Sequence, residues 1–142
     1  MSPRSLTPDL SRQDIPMDAW SQPYWDAAAE RKFLLPRCAA CKKFRWPAGP
    51  FCPDCTAQGL DWVAPGQGRI YSFTILPVRG AEDTPPQCRI PALVEFDDAP
   101  GIRLVSALID AAPEAVAIGA AVEIDFLPAA NATVPVFRLR NG

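Results

Sequence analysis

Two Cys-x2-Cys pairs, Cys38/Cys41 and Cys52/Cys55, stand ten residues apart in a stretch rich in proline, lysine and arginine. Each short pair forms a tight turn that aims two sulfurs at one point, and two such turns supply the four thiolates of a tetrahedral metal site. Soft thiolates select zinc or a mononuclear iron. Zinc is favoured because nothing else in the chain points to electron transfer. The competing use of cysteine, disulfide bonding, needs an oxidising compartment. The opening MSPRSLTPDLSRQDIPMDAW has neither the apolar run nor the small-residue cleavage site of a secretory signal, so the expected address is the cytoplasm. With all four ligands drawn from the protein, no coordination position is left for substrate. The expectation is one structural Zn²⁺, not a catalyst.

Composition narrows the rest. There is no histidine, which removes Ser-His-Asp and Cys-His catalysis and every imidazole proton shuttle. Seventeen of the 142 residues are proline, so strands, turns and loops must dominate over long helices. Residues 126–137 form the longest run without a formal charge; a spanning helix needs ~20 apolar residues, so no membrane association is expected. A net charge of −2 gives no global basic field for nucleic acid.

The chain divides into four parts: a flexible leader over 1–18, a helix over 19–36, the metal ribbon over 37–60 and a barrel over 61–142. Ser21 or Gln22 can cap the helix, Pro23 suits its first turn, and Trp25, Ala28, Ala29 and Phe33 share one face before Pro36 ends it. That face can cover the chain's own domain. Trp20, Tyr24 and Trp25 also suit a partner-docking helix, since aromatics are enriched in interface cores.

Beyond the ribbon the pattern alternates as in strands. Tyr71, Phe73 and Ile75 read as one face, Ala92, Val94 and Phe96 as another, and residues 102–109 are apolar on both faces. Val122, Ile124 and Phe126 follow, then Phe137 and Leu139. Turn residues at 65–68, 80–86, 97–101, 113–119 and 129–133 separate them. Five strands predict a mainly β fold, a small barrel of the oligonucleotide/oligosaccharide-binding (OB) type, with a sandwich as the alternative.

Arg31, Lys32, Arg37, Lys42, Lys43 and Arg45 surround the cysteines, with no acid from Arg31 through Pro53. These cations either offset the net −2 of a four-thiolate zinc site or form a basic rim for an anionic ligand. In the second reading Lys42, Lys43, Phe44, Arg45 and Trp46 are the candidate binding residues, with Phe51 as a further stacking surface. Cys88 has no histidine to activate it and reads as an inert thiol; a nucleophile would need Arg79 or Arg89 to lower its pKa. Asp97 and Asp98, followed by Ala-Pro-Gly, read as a hairpin turn rather than a catalytic pair.

With helix, ribbon and barrel in that order, the chain resembles the DUF35 proteins, a rubredoxin-like zinc ribbon followed by an OB-fold. The resemblance rests on PYWDAAAE, LLPRCAACKKFRWPAGPFCPDC, WVAPGQGRIYSFTI, PALVEF, GIRLVSALI, IGAAVEIDFLP and PVFRL, and covers roughly residues 20–140. One departure is that Lys42 and Thr56, not glycine, follow the knuckles, which puts the turn geometry in question without removing a ligand. The family implies an accessory subunit of acyl-CoA enzymes. The implied partner is a thiolase-fold thiolase, acyltransferase or aldolase of lipid side-chain degradation, or else a MaoC-type enoyl-CoA hydratase. The partner carries the catalytic residues; the small subunit docks on it as a hetero-oligomer, stabilises it and helps line the channel for CoA or acyl-CoA.

Two rivals belong to other classes. Ribbons and OB barrels also bind single-stranded nucleic acid, but from Glu82 onward nine acids face four bases, the wrong sign for a groove that tracks phosphates. An independent enzyme using Cys88 is the third reading.

Overall fold

Alternating burial along the second half of the chain has one structural solution here, a sheet closed on itself. The computed structural model describes residues 4–79 and 86–140. It contains a helix α1 (Gln22–Ala29) and eight strands: β1 (Leu35–Cys38), β2 (Leu60–Val63), β3 (Gly68–Phe73), β4 (Leu76–Val78), β5 (Gln87–Phe96), β6 (Ala99–Leu108), β7 (Ala121–Pro128) and β8 (Thr133–Leu139). A 3-10 turn, Pro113–Ala115, precedes β7. The turn expected at 80–86 falls largely outside the described residues.

Strands β1 and β2 pair antiparallel, Leu35 with Val63 and Cys38 with Leu60, and form the stem of the ribbon. The other strands run in the order β3-β7-β8-β6-β5-β4, and β3 also pairs with β5. That extra pairing closes a five-stranded OB-like barrel from β3, β5, β6, β8 and β7. The sandwich alternative is thereby excluded. Closure depends on Gly68, which pairs with Phe96 on one side and Val122 on the other. A Cβ there would lie 3.0 Å from a Val122 methyl. Gly66, at φ +84°, lets the Asp98 carboxyl group approach so closely that a Cβ would be 2.4 Å from Oδ2. The two glycines of Pro-Gly-Gln-Gly thus seat the entry to the barrel under the Asp97–Asp98 hairpin turn.

Inside the barrel lie Ile70, Ile90, Ala92, Val94, Phe96, Ile102, Leu104, Leu108, Val122 and Phe137, all buried. The expected inward face of β3 is corrected. Ile70 points in, Tyr71 is exposed, and Ile75 lies beyond the strand and is exposed. A bulge between Ile70 and Ser72 shifts the register and returns Phe73 to the core side, so a strict two-residue period fails there.

The helix is shorter than 19–36. It ends at Ala29, before Pro36, because Arg31 adopts φ +61° while its N–H and that of Lys32 bond the carbonyls of Ala28 and Ala27, a Schellman stop. Its buried face is Tyr24, Ala27 and Ala28. Tyr24 contacts Trp25, Phe33 and Trp46, and Phe33 continues onto Phe96 and Phe137, so helix, ribbon and barrel share one core.

Residues 4–15, read as a flexible leader, form a strap along the barrel. The Ser5 N–H donates to Ala111 O at 2.7 Å, its Oγ donates to Leu108 O at 2.8 Å, and the Ala111 N–H donates to that Oγ at 2.9 Å. The Leu6 N–H bonds Cys88 O, and farther along Ile15 exchanges two bonds with the Asn131 side chain. An alternating ion-pair chain, Arg4–Asp110–Arg138–Asp125–Arg31, links the strap to the end of α1.

Ser5 is 4 % exposed, so Ser5→Ala leaves the Leu108 carbonyl and the Ala111 N–H without that partner. The expected cost is about 1–3 kcal/mol, read as a lower denaturation midpoint with unchanged slope.

Candidate metal centre and ribbon face

The two knuckles have the same local construction. Cys38 N–H donates to Lys43 O and Cys52 N–H to Ala57 O, each at 2.8 Å. Lys42 N–H returns to Cys38 O and Thr56 N–H to Cys52 O, each at 2.9 Å. The residue after each pair must then be left-handed, and Lys42 and Thr56 sit at φ +66° and +65°. The missing glycines therefore leave the turn geometry intact and place two ordinary residues in a conformation that costs roughly 1–2 kcal/mol each.

All four Sγ atoms lie within 4.8 Å of one another. Two of the approaches cross between knuckles, Cys38 to Cys55 at 3.5 Å and Cys41 to Cys52 at 3.6 Å. Tetrahedral thiolates bonded at about 2.3 Å stand about 3.8 Å apart, so the donor set fits an ion of zinc's size. The first cysteine of each pair is buried beneath the knuckle and the second lies nearer the surface. Backbone N–H groups are aimed at the sulfurs. Those of Cys41 and then Ala40 bring the Cys38 thiol down to about 6 against the opposing effect of burial, and those of Cys55 and Asp54 lower Cys52. Cys55 goes the other way: although the Ala57 N–H favours its thiolate, contact with Cys38, burial and contacts with Cys52 and Cys41 push its thiol up to about 11, so the first cysteine of each knuckle is the one held toward its thiolate.

The cations around it are arranged differently from a free basic rim. Arg37 and Lys42 both approach Asp61, at 3.8 and 3.6 Å, and Lys43 approaches Asp54 at 3.8 Å. Both acids lie just beyond the acid-free stretch. Arg45 is 7 % exposed; its Nε donates to the Ala48 carbonyl and a terminal nitrogen to Gly49 O, bracing the 46–49 turn instead of facing a ligand. Trp46 is half-buried against Tyr24, with ring centroids 4.7 Å apart. Lys42 and Lys43 are exposed and, with the half-buried Phe44, line a cleft of about 490 Å³ between the ribbon and the β5–β6 turn, together with Arg37, Asp54 and Asp98.

Among the proposed docking aromatics, Trp20 is 50 % exposed in the turn before α1, Trp25 is half-buried, and Tyr24 belongs to the core. Cys88 is buried and its carbonyl anchors the strap. Asp97 pairs with Arg69 at 3.0 Å at the hairpin turn. No helix among the described residues is long and apolar enough to cross a membrane.

A four-thiolate knuckle pair mounted on a closed OB-like barrel defines a zinc-ribbon/OB-fold protein. Family models agree: the rubredoxin-like zinc ribbon domain of ChsH2 matches residues 25–61 and the C-terminal OB-fold domain of ChsH2 matches residues 62–127. The chain belongs to the DUF35 family. A DUF35 domain-containing scaffold protein of Methanothermobacter thermautotrophicus is 30 % identical over 94 residues, covering 63 % of this chain and 68 % of that protein. A probable enoyl-CoA hydratase alpha subunit of Thermomonospora curvata is 40 % identical over 119 residues; the match spans 81 % of this chain but only 36 % of that relative's length. A solved structure described as an Ltp2-ChsH2(DUF35) aldolase contains a chain 34 % identical to this one. That superposition has a TM-score of 0.74 and covers 89 % of this chain and 98 % of that one.

Two outcomes test the centre. Protons compete with a metal for all four sulfurs, so metal release to a chromogenic chelator is expected to rise as the pH is lowered, read as absorbance across a pH series. Thr56→Gly relieves a left-handed residue and is expected to keep the metal and leave thermal stability equal or up to about 1 kcal/mol higher, by calorimetry.

Proposed function

We propose that this chain is a non-catalytic, zinc-containing accessory subunit of a cytoplasmic acyl-CoA-processing complex, docked as a hetero-oligomer on a thiolase-fold enzyme of the thiolase, acyltransferase or aldolase type. The observation that carries the reading is the match, over nearly the whole of both chains, to a chain of a solved aldolase whose description pairs Ltp2 with ChsH2. Relatives described as scaffold proteins support a role in holding others. The sequence supports it too: a chain without histidine, whose cysteine pairs are committed to a metal, has little with which to move protons or attack a thioester. Catalytic residues then belong to the partner, and zinc here supplies folding free energy rather than chemistry.

Acyl-CoA is the proposed shared ligand. Lys42, Lys43 and Phe44, at the mouth of the ribbon cleft, are the residues proposed to meet its anionic end. Arg45 and Trp46 act behind them as supports.

A second reading, partnership with a MaoC-type enoyl-CoA hydratase, is favoured by the 40 % identity to the hydratase alpha subunit. Native mass spectrometry of the protein purified gently from its own cells separates the two. One zinc per chain with a stoichiometric thiolase-fold subunit is the expected result; a hydratase-fold chain in its place establishes the second reading, and a zinc-loaded chain alone counts against both. In the assembled complex, Lys42→Glu with Lys43→Glu is expected to weaken acyl-CoA binding about tenfold or more while zinc content stays constant, measured by calorimetric titration and elemental analysis. Equal loss of zinc would reassign these lysines to the ribbon's own stability.

A further inference from the structure

Among the described residues Arg45 is the one buried charged side chain, and no carboxylate there lies within ion-pair distance of it. Its hydrogen bonds use only part of the guanidinium. Nε donates to Ala48 O and Nη2 donates to Gly49 O at 3.3 Å, while Nη1 is buried with no partner. Nor does it lie over a ring; the guanidinium–ring contacts among the described residues are Arg31 on Phe126 and Arg103 on Tyr71. A buried lysine can shed its charge by losing a proton, but a guanidinium cannot. The carbonyls of Ala48 and Gly49 meet two of its nitrogens and carry no net charge. An uncompensated buried cation is strongly destabilising, so a countercharge is required.

The ribbon's other charges are already matched. Lys43 faces Asp54, and Arg37 and Lys42 share Asp61. From Leu35 to Val63 the sequence holds four cations, Arg37, Lys42, Lys43 and Arg45, against the two acids Asp54 and Asp61. The excess of positive charge equals the net −2 of four thiolates around a divalent ion. Placement in the chain agrees. Arg45 lies between the two knuckles, and its backbone N–H donates at 3.0 Å to Pro36 O, just ahead of Cys38. The carbonyls that its side chain holds belong to the turn leading into Cys52. Arg45 therefore joins the stem of the first knuckle to the approach of the second, in the part of the ribbon that shelters the buried Cys38 and Cys52.

We propose that Arg45 is the internal countercharge of the metal centre, a positioning residue whose buried positive charge stabilises the tetrathiolate and so raises its affinity for a divalent ion. The exposed lysines contribute little to this, because water and their own carboxylates screen them. Metal binding completes the pairing: it turns four neutral thiols into a centre of net −2, and Arg45 is already in place when that charge forms. The proposal concerns the metal centre alone and is independent of the accessory-subunit reading.

The test uses the full-length protein loaded with zinc and, as a second probe, the same protein reconstituted with iron. Arg45→Gln keeps a donor for the turn but no charge, whereas Arg45→Lys keeps the charge and loses the planar fork. In competition with a chromogenic chelator, Arg45→Gln is expected to bind zinc at least about tenfold more weakly, and Arg45→Lys within about threefold of wild type. With iron the centre carries −2 when ferrous and −1 when ferric, so loss of a nearby positive charge favours the ferric form. The reduction potential of Arg45→Gln is expected to fall by about 59 mV, a tenfold shift for one electron, with Arg45→Lys close to wild type. Lys32→Met removes an exposed cation paired with Glu30 and is expected to leave both readouts unchanged. Equal losses of zinc affinity in the Gln and Lys variants, with the iron potential unmoved, overturn the proposal, because Arg45 is then only a brace for the 46–49 turn. Wild-type values in both variants overturn it too. Should Arg45→Gln fail to fold, Arg45→Lys decides alone: retained zinc affinity supports the countercharge, and a loss of about tenfold or more overturns it.

Discussion

A row of aromatic rings holds the molecule together. Trp46 lies on Tyr24, Tyr24 on Phe33, and Phe33 on both Phe96 and Phe137, with successive centroids 4.7 to 6.1 Å apart. The first ring belongs to the ribbon, the second to the helix, the third to the segment joining them, and the last two to the barrel. Aromatic pairs at such spacings contribute about 0.5–1.5 kcal/mol each beyond the area they bury. Their larger effect is geometric. The ribbon stem enters the barrel's core cluster through Leu35 and Phe33, so the metal knuckles are carried at a defined position over the β5–β6 turn instead of swinging on a linker.

The same packing explains why the helix is so short. Eight residues are too few to be stable alone in water. Tyr24, Ala27 and Ala28 are sheltered by neighbours already anchored in the barrel, and Arg31 turns the chain so that Phe33 can enter the core. The strap and its ion-pair chain perform a similar service. Exposed pairs of this sort are worth little singly, but five charges in alternating order, two of them arginines bonded to carboxylates at 2.7 Å, restrain the strap's start and the helix end together.

Much of this was legible in the residues. The knuckle spacing marks the metal centre because only a few geometries bring four sulfurs together, and the alternation in β5 and β7 marks a half-buried strand because side chains switch faces at every step. What escaped obeys longer-range rules. The strap has no hydrophobic period; it is held through backbone groups and one serine whose partners lie over a hundred residues away. Strict alternation gives the wrong phase for β3, because the bulge after Ile70 adds a residue that no alternation count registers. Arg45 looks like a surface cation beside two lysines, yet it points inward because the 46–49 turn offers carbonyls within its reach. Tyr24 and Trp25 are adjacent aromatics with opposite fates, decided by where Phe33 and Trp46 stand.

The strap also bears on the order of events during synthesis. Ser5 finds its partners 103 and 106 positions later, at Leu108 and Ala111, and Ile15 finds its own 116 positions later, at Asn131. Residues 4–15 have left the ribosome long before their binding surface exists. The knuckles, whose ligands lie within 17 positions of one another, can close around a metal early. Loop-closure entropy therefore orders assembly from the ribbon outward. The earliest of these segments to be made is among the last to be seated.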